Sequence, residues 1–343
     1  MSNKIITIKD VAEAADVSLA TVSRVINKCD NVKPERRDKV LKAIEKLGYL
    51  PNQAARSLVK KKTETIGIII NNLHDPFFYD LIKGFETGAQ QTSYNVIFCS
   101  VMGGDAEVKE KYIRYLNKGV VDAVVLYGSY MSDDMLTRYM TDECPVKYLM
   151  VENDLPNFDG NKLLIDNING ARIATRYLIE NGHRAIAHIC GNPNKKVTID
   201  RFNGFMETMR SAGLEITDGY IQYTMSDYYG GYDCMKRLLQ SERRPSAVFC
   251  SDDAIASFAV RAAIDMGFRV PQDVSVMGFD NQKILPDKYQ GPGITSMEQP
   301  LFNIGLDSIK ILAEQLNGKS EENVRKIYET KLVEKESVSS YNG

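Results

Sequence analysis

The sequence predicts two fold classes in one chain, a small all-α head followed by a larger α/β core of two lobes. Three observations support this prediction. The first 62 residues are strongly basic, they contain three short helical patterns, and the residues after them alternate between apolar runs and helical patterns. At 343 residues the chain is long enough for two or three domains. We expect a head at 1–50, a linker at 51–62 and a core at 63–343.

The charge of the chain is distributed unevenly between these parts. Residues 1–62 carry 14 Lys or Arg and 7 Asp or Glu, a net charge of +7, while the remainder carries a net charge of −9. A compact basic segment on an acidic body predicts that only the head meets a polyanion such as nucleic acid. Charge alone leaves open the alternative of a solvated basic surface.

Capping residues mark the three helices of the head. Thr7 precedes the first helix, Ser18 precedes the second, Pro34 opens the third, and Gly48 stops it. Asp16 lies in the tight turn between the first two helices. Two short helices joined by a tight turn and braced by a third form a helix-turn-helix layout. The expected inward faces are Val11, Ala12 and Ala15; Val22, Val25 and Ile26; and Val40, Ile44 and Leu47.

The second helix is the candidate for insertion into the major groove of DNA. Arg24 can donate a bidentate pair to a guanine edge, whereas Leu19 and Ala20 offer only apolar contact, for example to thymine methyls. Thr21 and Ser23 suit phosphate contacts. The alternative is a three-helix bundle that binds nothing. The full set of candidate contacts on this helix is Leu19, Ala20, Thr21, Ser23, Arg24 and Asn27.

The head resembles the DNA-binding head of the lactose/galactose repressor (LacI/GalR) family. The resemblance runs through TIKDVAEAADVSLATVSRVIN and KPERRDKVLKAIEKLGYLPNQAARSL, which cover all three helices and the linker. The family usually has glycine where this chain has Asp16. Because Asp tolerates a left-handed φ better than most residues, we expect the turn to survive.

The same resemblance gives the linker a role. In this family the segment that matches 51–60 is a hinge helix, which forms when two chains meet on DNA and wedges a leucine into the minor groove. Leu58 is the matching leucine, and Ala55 lies one turn earlier on the same side. A helix this short is marginal in water and needs partners, and a leucine wedge unstacks and kinks the duplex. Without the resemblance, the stretch reads as a flexible basic linker.

The residues after Glu64 predict parallel sheets covered by helices. Short apolar runs occur at 66–70, 96–98, 123–126, 148–151, 185–189, 247–250 and 274–279. Helical patterns occur at Tyr79–Gln91, Glu107–Lys118, Asn169–Glu180, Arg201–Ala212, Gly231–Gln240 and Ala254–Met266. Alternating strands and helices favour a parallel α/β fold. About 280 residues exceed what one such core usually holds, so we expect two lobes.

Candidate ligand-binding residues follow the predicted strands, because ligands of open α/β sheets bind beyond the carboxyl ends of the strands. Arg201 joins them at the start of a predicted helix. Carboxylates and a guanidinium can bind hydroxyl pairs, and aromatic rings can stack on the less polar face of a sugar. These residue types predict a neutral, polyhydroxylated ligand. The candidates are Asp75, Phe77, Phe78, Glu152, Arg201, Asp252 and Asp280.

The core also resembles the periplasmic-binding-protein-like (type I) core of the same family, in the segments DPFF, RFNGF, SDDAIA, RVPQDVSVMGFDN and ITSMEQP. By position, the five charged candidates match places where that family contacts its effector, and Arg201 and Asp280 match best. Structural alternatives stay open: Asp253 could cap the helix that follows it, and Asp75 could cap a helix entered through Pro76. The family often has a stacking aromatic where this chain has Ser226; Tyr228 or Tyr229 could replace it.

No motif of an enzyme or a membrane protein is present in the sequence. It lacks GxGxxG, GxxxxGK[ST], GxSxG and HExxH, so we expect neither catalysis nor a bound cofactor. His188 lies in an apolar run and is expected to be a core residue with no metal. The six cysteines are scattered singly, which favours reduced thiols in a cytoplasmic protein. There is no apolar run long enough for a membrane span and no signal peptide, which also predicts a cytoplasmic protein.

These patterns and the resemblance together predict a transcriptional repressor of carbohydrate metabolism genes, controlled by a sugar. The resemblance implies a homodimer on a near-palindromic operator, since a two-fold dimer matches a two-fold site. The chain ends without a heptad-patterned helix, so we expect no tetramer built on one. One alternative is control by a phosphorylated carrier protein. A sugar-binding protein without DNA function is another, but it has no use for residues 1–62.

Overall fold

The chain separates into two compact units, Met1–Thr63 and Glu64–Gly343. A computed structural model describes residues 6–26, 31–49, 62–102, 105–128, 130–140, 144, 146–155, 157–224, 229–285 and 289–341. In the described residues no helix is both long enough and apolar enough to cross a membrane.

The first unit contains three helices, α1 (Ile8–Ala14), α2 (Leu19–Ile26) and α3 (Pro34–Leu47). The carboxylate of Asp10 fixes the start of α1, because it accepts from both the backbone N–H (2.8 Å) and the hydroxyl (2.6 Å) of Thr7. The predicted ends of α3 are confirmed, with Pro34 in its first turn and Gly48 left-handed at φ 60°.

The turn between α1 and α2 is compatible with Asp16. Its φ is 51°, in the left-handed region, as the sequence predicts. The predicted inward residues of α1 are buried, and so are Val22 and Val25 of α2. In α3 only Val40 of the predicted set is buried, since Ile44 and Leu47 are half-buried at the edge of this core. Val32, Ala43 and Tyr49, which were not predicted, are also buried in it.

The first lobe of the second unit is built on a six-stranded parallel sheet. Its strands are β1 (Thr65–Ile70), β2 (Asn95–Ser100), β3 (Ala123–Tyr127), β4 (Lys147–Val151), β5 (Asn161–Ile165) and β11 (Arg325–Tyr328), in the spatial order β11-β5-β4-β3-β1-β2. Its helices are α4 (Tyr79–Thr92), α5 (Ala106–Leu116) and α10 (Leu301–Leu316), with short 3₁₀ helices at Pro76–Phe78 and Met131–Tyr139. Helices α4 and α10 approach closely at Gly84, where a Cβ would lie only 2.2 Å from the Phe302 carbonyl oxygen.

The second lobe is built on a four-stranded parallel sheet. Its strands are β6 (Ile186–Cys190), β7 (Ile221–Tyr223), β8 (Ala247–Cys250) and β9 (Ser275–Met277), in the spatial order β7-β6-β8-β9. Its helices are α6 (Asn167–Glu180), α7 (Lys196–Ser211), α8 (Gly230–Gln240) and α9 (Asp253–Asp265). An antiparallel pair, β10 (Ser296–Glu298) and β12 (Lys331–Val333), adjoins this lobe, because Thr295 bridges to Met277 of β9.

The chain passes between the lobes three times, after β5, after β10 and after β11. Each lobe has its own buried apolar clusters on the faces of its sheet. Two independently packed lobes joined by three short crossovers form the two-lobed α/β core that the sequence predicts. The carboxyl ends of the strands of both sheets face the cleft between the lobes.

Two expected element boundaries are wrong, and helix α10 is absent from the predicted elements. Arg201 does not open a helix: α7 begins at Lys196, so Arg201 lies in its second turn. The apolar run at 274–279 is a strand only over Ser275–Met277. Helix α10 follows Pro300, and it packs against the first lobe although the chain before it belongs to the second.

Candidate functional site

The exposed surface of α2 carries the side chains expected to contact DNA. Leu19, Ala20 and Arg24 are exposed, and Leu19 keeps 44% of its surface accessible, although it is a large apolar residue. Thr21 and Ser23 are half-buried. The predicted contacts Asn27, Ala55 and Leu58 lie outside the described residues, as does the linker over 51–61. Their roles therefore stay predictions.

Thr21 is held at the start of α2 by Ser18. The Thr21 backbone N–H donates to Ser18 Oγ at 3.2 Å, and the two hydroxyl oxygens are 3.0 Å apart. Ser18 therefore caps the helix, as the sequence predicts. The cap fixes the first turn of α2, from which Leu19 and Ala20 project to solvent.

A cavity of about 300 Å³ lies in the cleft between the two lobes. All seven residues predicted to bind a ligand line it: Asp75, Phe77, Phe78, Glu152, Arg201, Asp252 and Asp280. Several further polar and aromatic lining residues were not predicted, among them Tyr127, Tyr130, Asn192, Lys195, Thr198, Thr224 and Gln282. The cavity is therefore ringed by carboxylates, amides, hydroxyls and aromatic rings from both lobes.

Arg201 is buried, at 4% exposure, and is surrounded by partners. It donates from Nη1 to the Ser251 carbonyl oxygen at 2.6 Å and from Nε to Asn167 Oδ1 at 2.9 Å. Its Nη2 lies 3.1 Å from Asp280 Oδ1, and its guanidinium carbon lies 3.8 Å from the centroid of the Phe279 ring. The planar guanidinium of Arg201 can donate to all three of these partners at once, whereas the single ammonium of a lysine could not.

Glu152 belongs to the same hydrogen-bond network as Arg201 and enters it from the first lobe. It follows β4 with φ 75°, a left-handed conformation that is uncommon for a non-glycine residue, and it is 6% exposed. The Tyr127 hydroxyl donates to one carboxylate oxygen, and Asn167 Nδ2 donates to the other at 3.1 Å. Asn167 thus joins Glu152 of the first lobe to Arg201 of the second. Burial, and then the Glu152 charge, raise the pKa of Tyr127 well above its usual value, which keeps this donor protonated.

Asp280 follows β9 with φ 102°, a second left-handed non-glycine residue at a strand end. Besides its pair with Arg201, it accepts a hydrogen bond from the side-chain amide of Gln299, in the crossover after β10. Burial raises the pKa of Asp280, and the Arg201 charge opposes that rise. The network therefore runs from Tyr127 in the first lobe to a crossover between the lobes.

Asp252, rather than Asp253, caps α9, so the proposed capping role of Asp253 is wrong. Asp252 accepts from the Ile255 backbone N–H at 2.7 Å. Asp253 is 1% exposed and accepts from the Ser296 hydroxyl at 2.6 Å and from the Gln282 backbone N–H at 2.7 Å. Burial raises the pKa of Asp253 to about 7. This carboxyl therefore joins α9 to strand β10 beneath the cavity.

Asp75 caps the 3₁₀ helix that begins at Pro76, as one reading of the sequence proposes. It accepts from the Phe77 backbone N–H at 3.0 Å. The capped turn presents two rings to the cavity: Phe77 and Phe78 meet edge to face at 4.9 Å, and Phe78 meets Tyr127 likewise at 5.0 Å. Asp75 therefore lines the cavity and also fixes these rings.

The expected aromatic substitute for Ser226 is not found among the described lining residues. Tyr229 packs on Phe258, with ring centroids 4.7 Å apart, and the cavity lining does not include it. Ser226 and Tyr228 lie outside the described residues. Tyr130 lines the cavity instead, and the Lys195 ammonium of the other lobe lies 5.4 Å from its ring centroid.

His188 is a buried core residue, as expected. It stacks on Phe249 at 4.8 Å, and its Nδ1 lies 2.8 Å from the Phe249 carbonyl oxygen. Its buried Nε2 has no hydrogen-bond partner among the described residues. Burial lowers the pKa of His188 to about 4, so the ring is neutral at pH 7. In the described part of the chain, no group of three or more His, Cys, Asp or Glu residues is placed to hold a metal ion.

Two family models match the chain. Residues 7–52 match the bacterial regulatory proteins of the lacI family, and residues 175–338 match the periplasmic binding protein-like domain. These ranges contain the three-helix head and most of the second lobe.

Whole-chain relatives agree with these matches. The HTH-type transcriptional repressor PurR of Pasteurella multocida (strain Pm70) is 33% identical over 337 residues, which cover 97% of this chain and 99% of the relative. The solved structure of the transcriptional regulator CelR in complex with cellobiose is 31% identical, with a TM-score of 0.72, and covers 97% of this chain and 99% of that one. The fold also matches the lac repressor dimer bound to operator and the anti-inducer ONPF, at 23% identity and a TM-score of 0.87 over 98% of this chain and 100% of that one. The chain belongs to the lacI family of bacterial regulatory proteins and is a DNA-binding transcriptional regulator.

Proposed function

We propose that this chain is a repressor of carbohydrate metabolism genes. Its affinity for its operator is controlled by a neutral sugar that binds in the interlobe cavity. The observation that carries the proposal is the composition of that cavity. Carboxylates, amides and hydroxyls alternate there with the rings of Phe77, Phe78, Tyr127 and Tyr130. Hydroxyl pairs of a sugar can donate to carboxylates and accept from amides, while its less polar face stacks on a ring.

The charge of the cavity favours a neutral sugar over a phosphorylated one. Among the described lining residues there are four carboxylates and two cationic side chains, Lys195 and Arg201. Arg201 is already paired with Asp280, so of the described cations Lys195 is left to meet an added anion. A phosphate would therefore enter a site of net negative charge. The cellobiose in the complex of the 31% identical regulator CelR also supports a sugar as the ligand class.

The residue roles follow from this proposal. Arg201 and Asp280 bind sugar hydroxyls from the second lobe, Glu152 and Asp75 bind them from the first, and Asp252 lies at the start of α9. Phe77 and Phe78 supply the stacking surface. The proposed division of the chain is a DNA-binding head at 1–50, a hinge at 51–62 and an effector-binding, dimerising core at 63–343.

The mechanism is a shift between two arrangements of the lobes. A sugar with partners on both lobes binds one arrangement better and raises its population by its differential affinity. In a homodimer, that change alters the spacing of the two hinge segments. It therefore sets whether Leu58 and its counterpart in the second copy reach the minor groove together, and whether both heads engage a near-palindromic operator.

Isothermal titration calorimetry of the full chain tests the ligand class. The panel is D-glucose, D-galactose, D-mannose, D-xylose, their common disaccharides and their 6-phosphates where these exist. We expect at least one neutral sugar to bind, and its phosphorylated form to bind at least tenfold more weakly. If every sugar fails to bind, the sugar proposal is wrong, and control by a protein partner takes its place.

A further inference from the structure

Lys109 and Asp133 form an ion pair in the interior of the first lobe, and we propose that this pair positions Tyr130 for effector binding. Neither residue belongs to the described lining of the interlobe cavity, whereas Tyr130 does. Lys109 and Asp133 are therefore positioning residues, which act on the ligand through Tyr130. The inference rests on the proposed function, because it takes the effector to bind in the interlobe cavity.

Both side chains of this pair are fully buried, at 0% exposure. Lys109 Nζ lies 2.8 Å from Asp133 Oδ1 and 2.9 Å from Asp133 Oδ2. Removing two charges from water costs so much free energy that apolar replacements of a buried ion pair are often equally stable or more stable. The stability of the lobe therefore does not by itself explain why its core contains this pair.

The Asp133 carboxylate fixes the turn that carries Tyr130. Its Oδ2 accepts from the Tyr130 backbone N–H at 3.2 Å, and the Asp133 backbone N–H donates to the Tyr130 carbonyl oxygen at 3.1 Å. Asn153 Nδ2 donates to the same carbonyl oxygen at 3.1 Å. The turn also packs closely on the carboxylate, since a Cβ at Gly128 would lie 3.0 Å from Asp133 Oδ2. Because Lys109 bonds to both oxygens of this carboxylate, the ion pair sets the position of Tyr130.

From this turn, Tyr130 and Met131 of the first lobe contact Asn194 and Lys195 of the second, and we name this contact the Tyr130 clasp. Tyr130 pairs with Lys195 in an antiparallel β-bridge, and the Met131 backbone N–H donates to the Asn194 carbonyl oxygen at 3.0 Å. Lys195 Nζ lies 5.4 Å from the centroid of the Tyr130 ring, within the range of a cation–π contact. Tyr130 and Lys195 both line the cavity, so the clasp joins the two lobes at the cavity wall.

The buried ion pair is also electrostatically coupled to the clasp. Lys109 Nζ lies 5.6 Å from the centroid of the Tyr130 ring, so the ring has an ammonium group of each lobe nearby. Burial and, to a smaller extent, the Lys195 charge lower the pKa of Lys109, and the Asp133 charge opposes both. Closing the clasp therefore brings a second cation toward Lys109, and the Asp133 carboxylate offsets that repulsion.

The clasp affects ligand affinity through the population of one arrangement of the lobes. A sugar with partners on both lobes binds the arrangement in which the clasp is formed. Its apparent dissociation constant is the intrinsic constant divided by the fraction of molecules in that arrangement. Weakening the clasp lowers this fraction. We therefore expect substitutions of Met131, Lys109 and Asp133 to weaken effector binding, although none of these side chains belongs to the described cavity lining.

Met131→Pro tests the clasp, because it removes the N–H that bonds to Asn194. Met131 is the first residue of its 3₁₀ helix, a position that suits proline, and Tyr130 before it has the extended backbone that a following proline requires (φ −94°, ψ 143°). The full chain is titrated by calorimetry with D-glucose, D-galactose, D-mannose, D-xylose and their common disaccharides. We expect the sugar that binds wild type to bind Met131→Pro roughly three- to tenfold more weakly, as for the loss of one hydrogen bond. Met131→Ala keeps the N–H and is the matched control, which should leave the affinity unchanged.

Two double variants test the ion pair without leaving one charge unpaired in the core. Lys109→Met with Asp133→Ala removes both charges and the acceptor of the Tyr130 N–H, so sugar affinity should fall roughly tenfold or more. Lys109→Gln with Asp133→Asn also removes the charges but keeps an acceptor at position 133. It should therefore retain the sugar affinity of wild type within about threefold. Urea unfolding of each variant measures stability separately, because a merely structural pair would change stability without this difference in affinity.

An unchanged sugar affinity in Met131→Pro, or equal sugar affinities of the two double variants, overturns the positioning role and leaves the proposed function standing. If the double variants do not fold, the comparison of Met131→Pro with Met131→Ala decides. If no sugar of the panel binds wild type, the proposed function is overturned together with this inference.

Discussion

Arg201 Nη2 and Asp280 Oδ1 lie 3.1 Å apart in the interlobe cleft, with both side chains almost fully buried. Asp280 reaches this position through a left-handed backbone at the end of β9, and Arg201 reaches it from the second turn of α7. A buried ion pair contributes little to stability unless hydrogen bonds satisfy its remaining atoms. Here Asn167, Ser251 and Gln299 supply those bonds, which fixes donors and acceptors at the cavity wall.

The first prediction concerns Arg201. Arg201→Lys keeps the charge but cannot bond to Asn167, Ser251 and Asp280 at once, because an ammonium lacks the planar fork. We expect the sugar affinity to fall at least about 30-fold, equivalent to roughly 2 kcal/mol, with operator affinity in the absence of sugar within about threefold of wild type. Calorimetry and fluorescence anisotropy measure the two affinities. An unchanged sugar dose-response would show that Arg201 does not contribute to sugar binding.

The second prediction concerns Asn167, which joins Glu152 to Arg201 across the lobes. Asn167→Ala leaves Glu152 Oε1 and Arg201 Nε without this partner, so the free energy of unfolding should fall by about 1–3 kcal/mol. The sugar response of operator binding should weaken as well, because the hydrogen-bonded chain between the lobes is cut. Urea unfolding and operator titrations measure these effects.

Asn169→Ala is the control for this substitution. Asn169 lies on the same helix and is half-buried, and its backbone N–H, rather than its side chain, bonds to Asp166. We expect Asn169→Ala to change the free energy of unfolding and the sugar response little. Equal effects of the two substitutions would mean that α6, rather than the bridge through Asn167, is responsible.

The third prediction concerns Asp253, whose pKa is raised to about 7 by burial. The usual pKa of an aspartate is about 3.9, so between these values the folded state binds the proton more tightly than the unfolded chain. The contribution of Asp253 to stability is therefore full at low pH and is lost as the pH rises from about 4 to 7, by at most roughly 1.4 kcal/mol per pH unit.

Asp253→Asn removes this titration. The free energy of unfolding of wild type relative to Asp253→Asn, measured with urea at pH 5, 6, 7 and 8, should fall as the pH rises and level off above pH 7. A difference that stays constant would show that Asp253 is ionised throughout the range, and a difference that rises with pH would show that its pKa is not raised in the folded state.

The fourth prediction concerns Leu58, for which the resemblance implies a wedge in the minor groove. Leu58→Ala removes most of that apolar contact, and burial of a leucine contributes about 1.5–3 kcal/mol, so operator affinity should fall roughly 10- to 100-fold. Sugar affinity should stay the same. Leu41→Ala, at a leucine of α3 that is 50% exposed, is the control within the head. A parallel loss of sugar affinity would argue against the hinge assignment.

The sequence predicted the cavity better than it predicted the network behind it. Glu152 and Asp280 stand directly after apolar runs, Asp252 and Asp75 follow theirs within two and five residues, and parallel strands place such residues at one edge of a sheet. Asn167 lies at the start of α6, and Gln299 lies in the crossover after β10. Their role depends on which lobe each segment joins, and local patterns do not contain that information.

The predicted helix starts were wrong where the sequence carries no clear capping signal. Helix α7 begins at Lys196 with no side-chain hydrogen bond at its cap, so no start signal precedes Arg201. Asp253 is proposed from the sequence as a cap of α9, but its neighbour Asp252 takes that position. Tertiary contacts decided between them, because Ser296 and Gln282 engage Asp253.

Operator binding by the full chain, with and without the sugar that calorimetry identifies, tests the proposed function most sharply. Fluorescence anisotropy at a fixed, moderate salt concentration compares an inverted-repeat duplex, selected from a random pool, with the same duplex carrying one scrambled half-site. We expect a preference of at least 100-fold for the intact repeat, and a sugar-dependent change in operator affinity of at least tenfold that Arg201→Lys abolishes. Equal affinity for the two duplexes, with no change when any sugar is added, would contradict the proposed function.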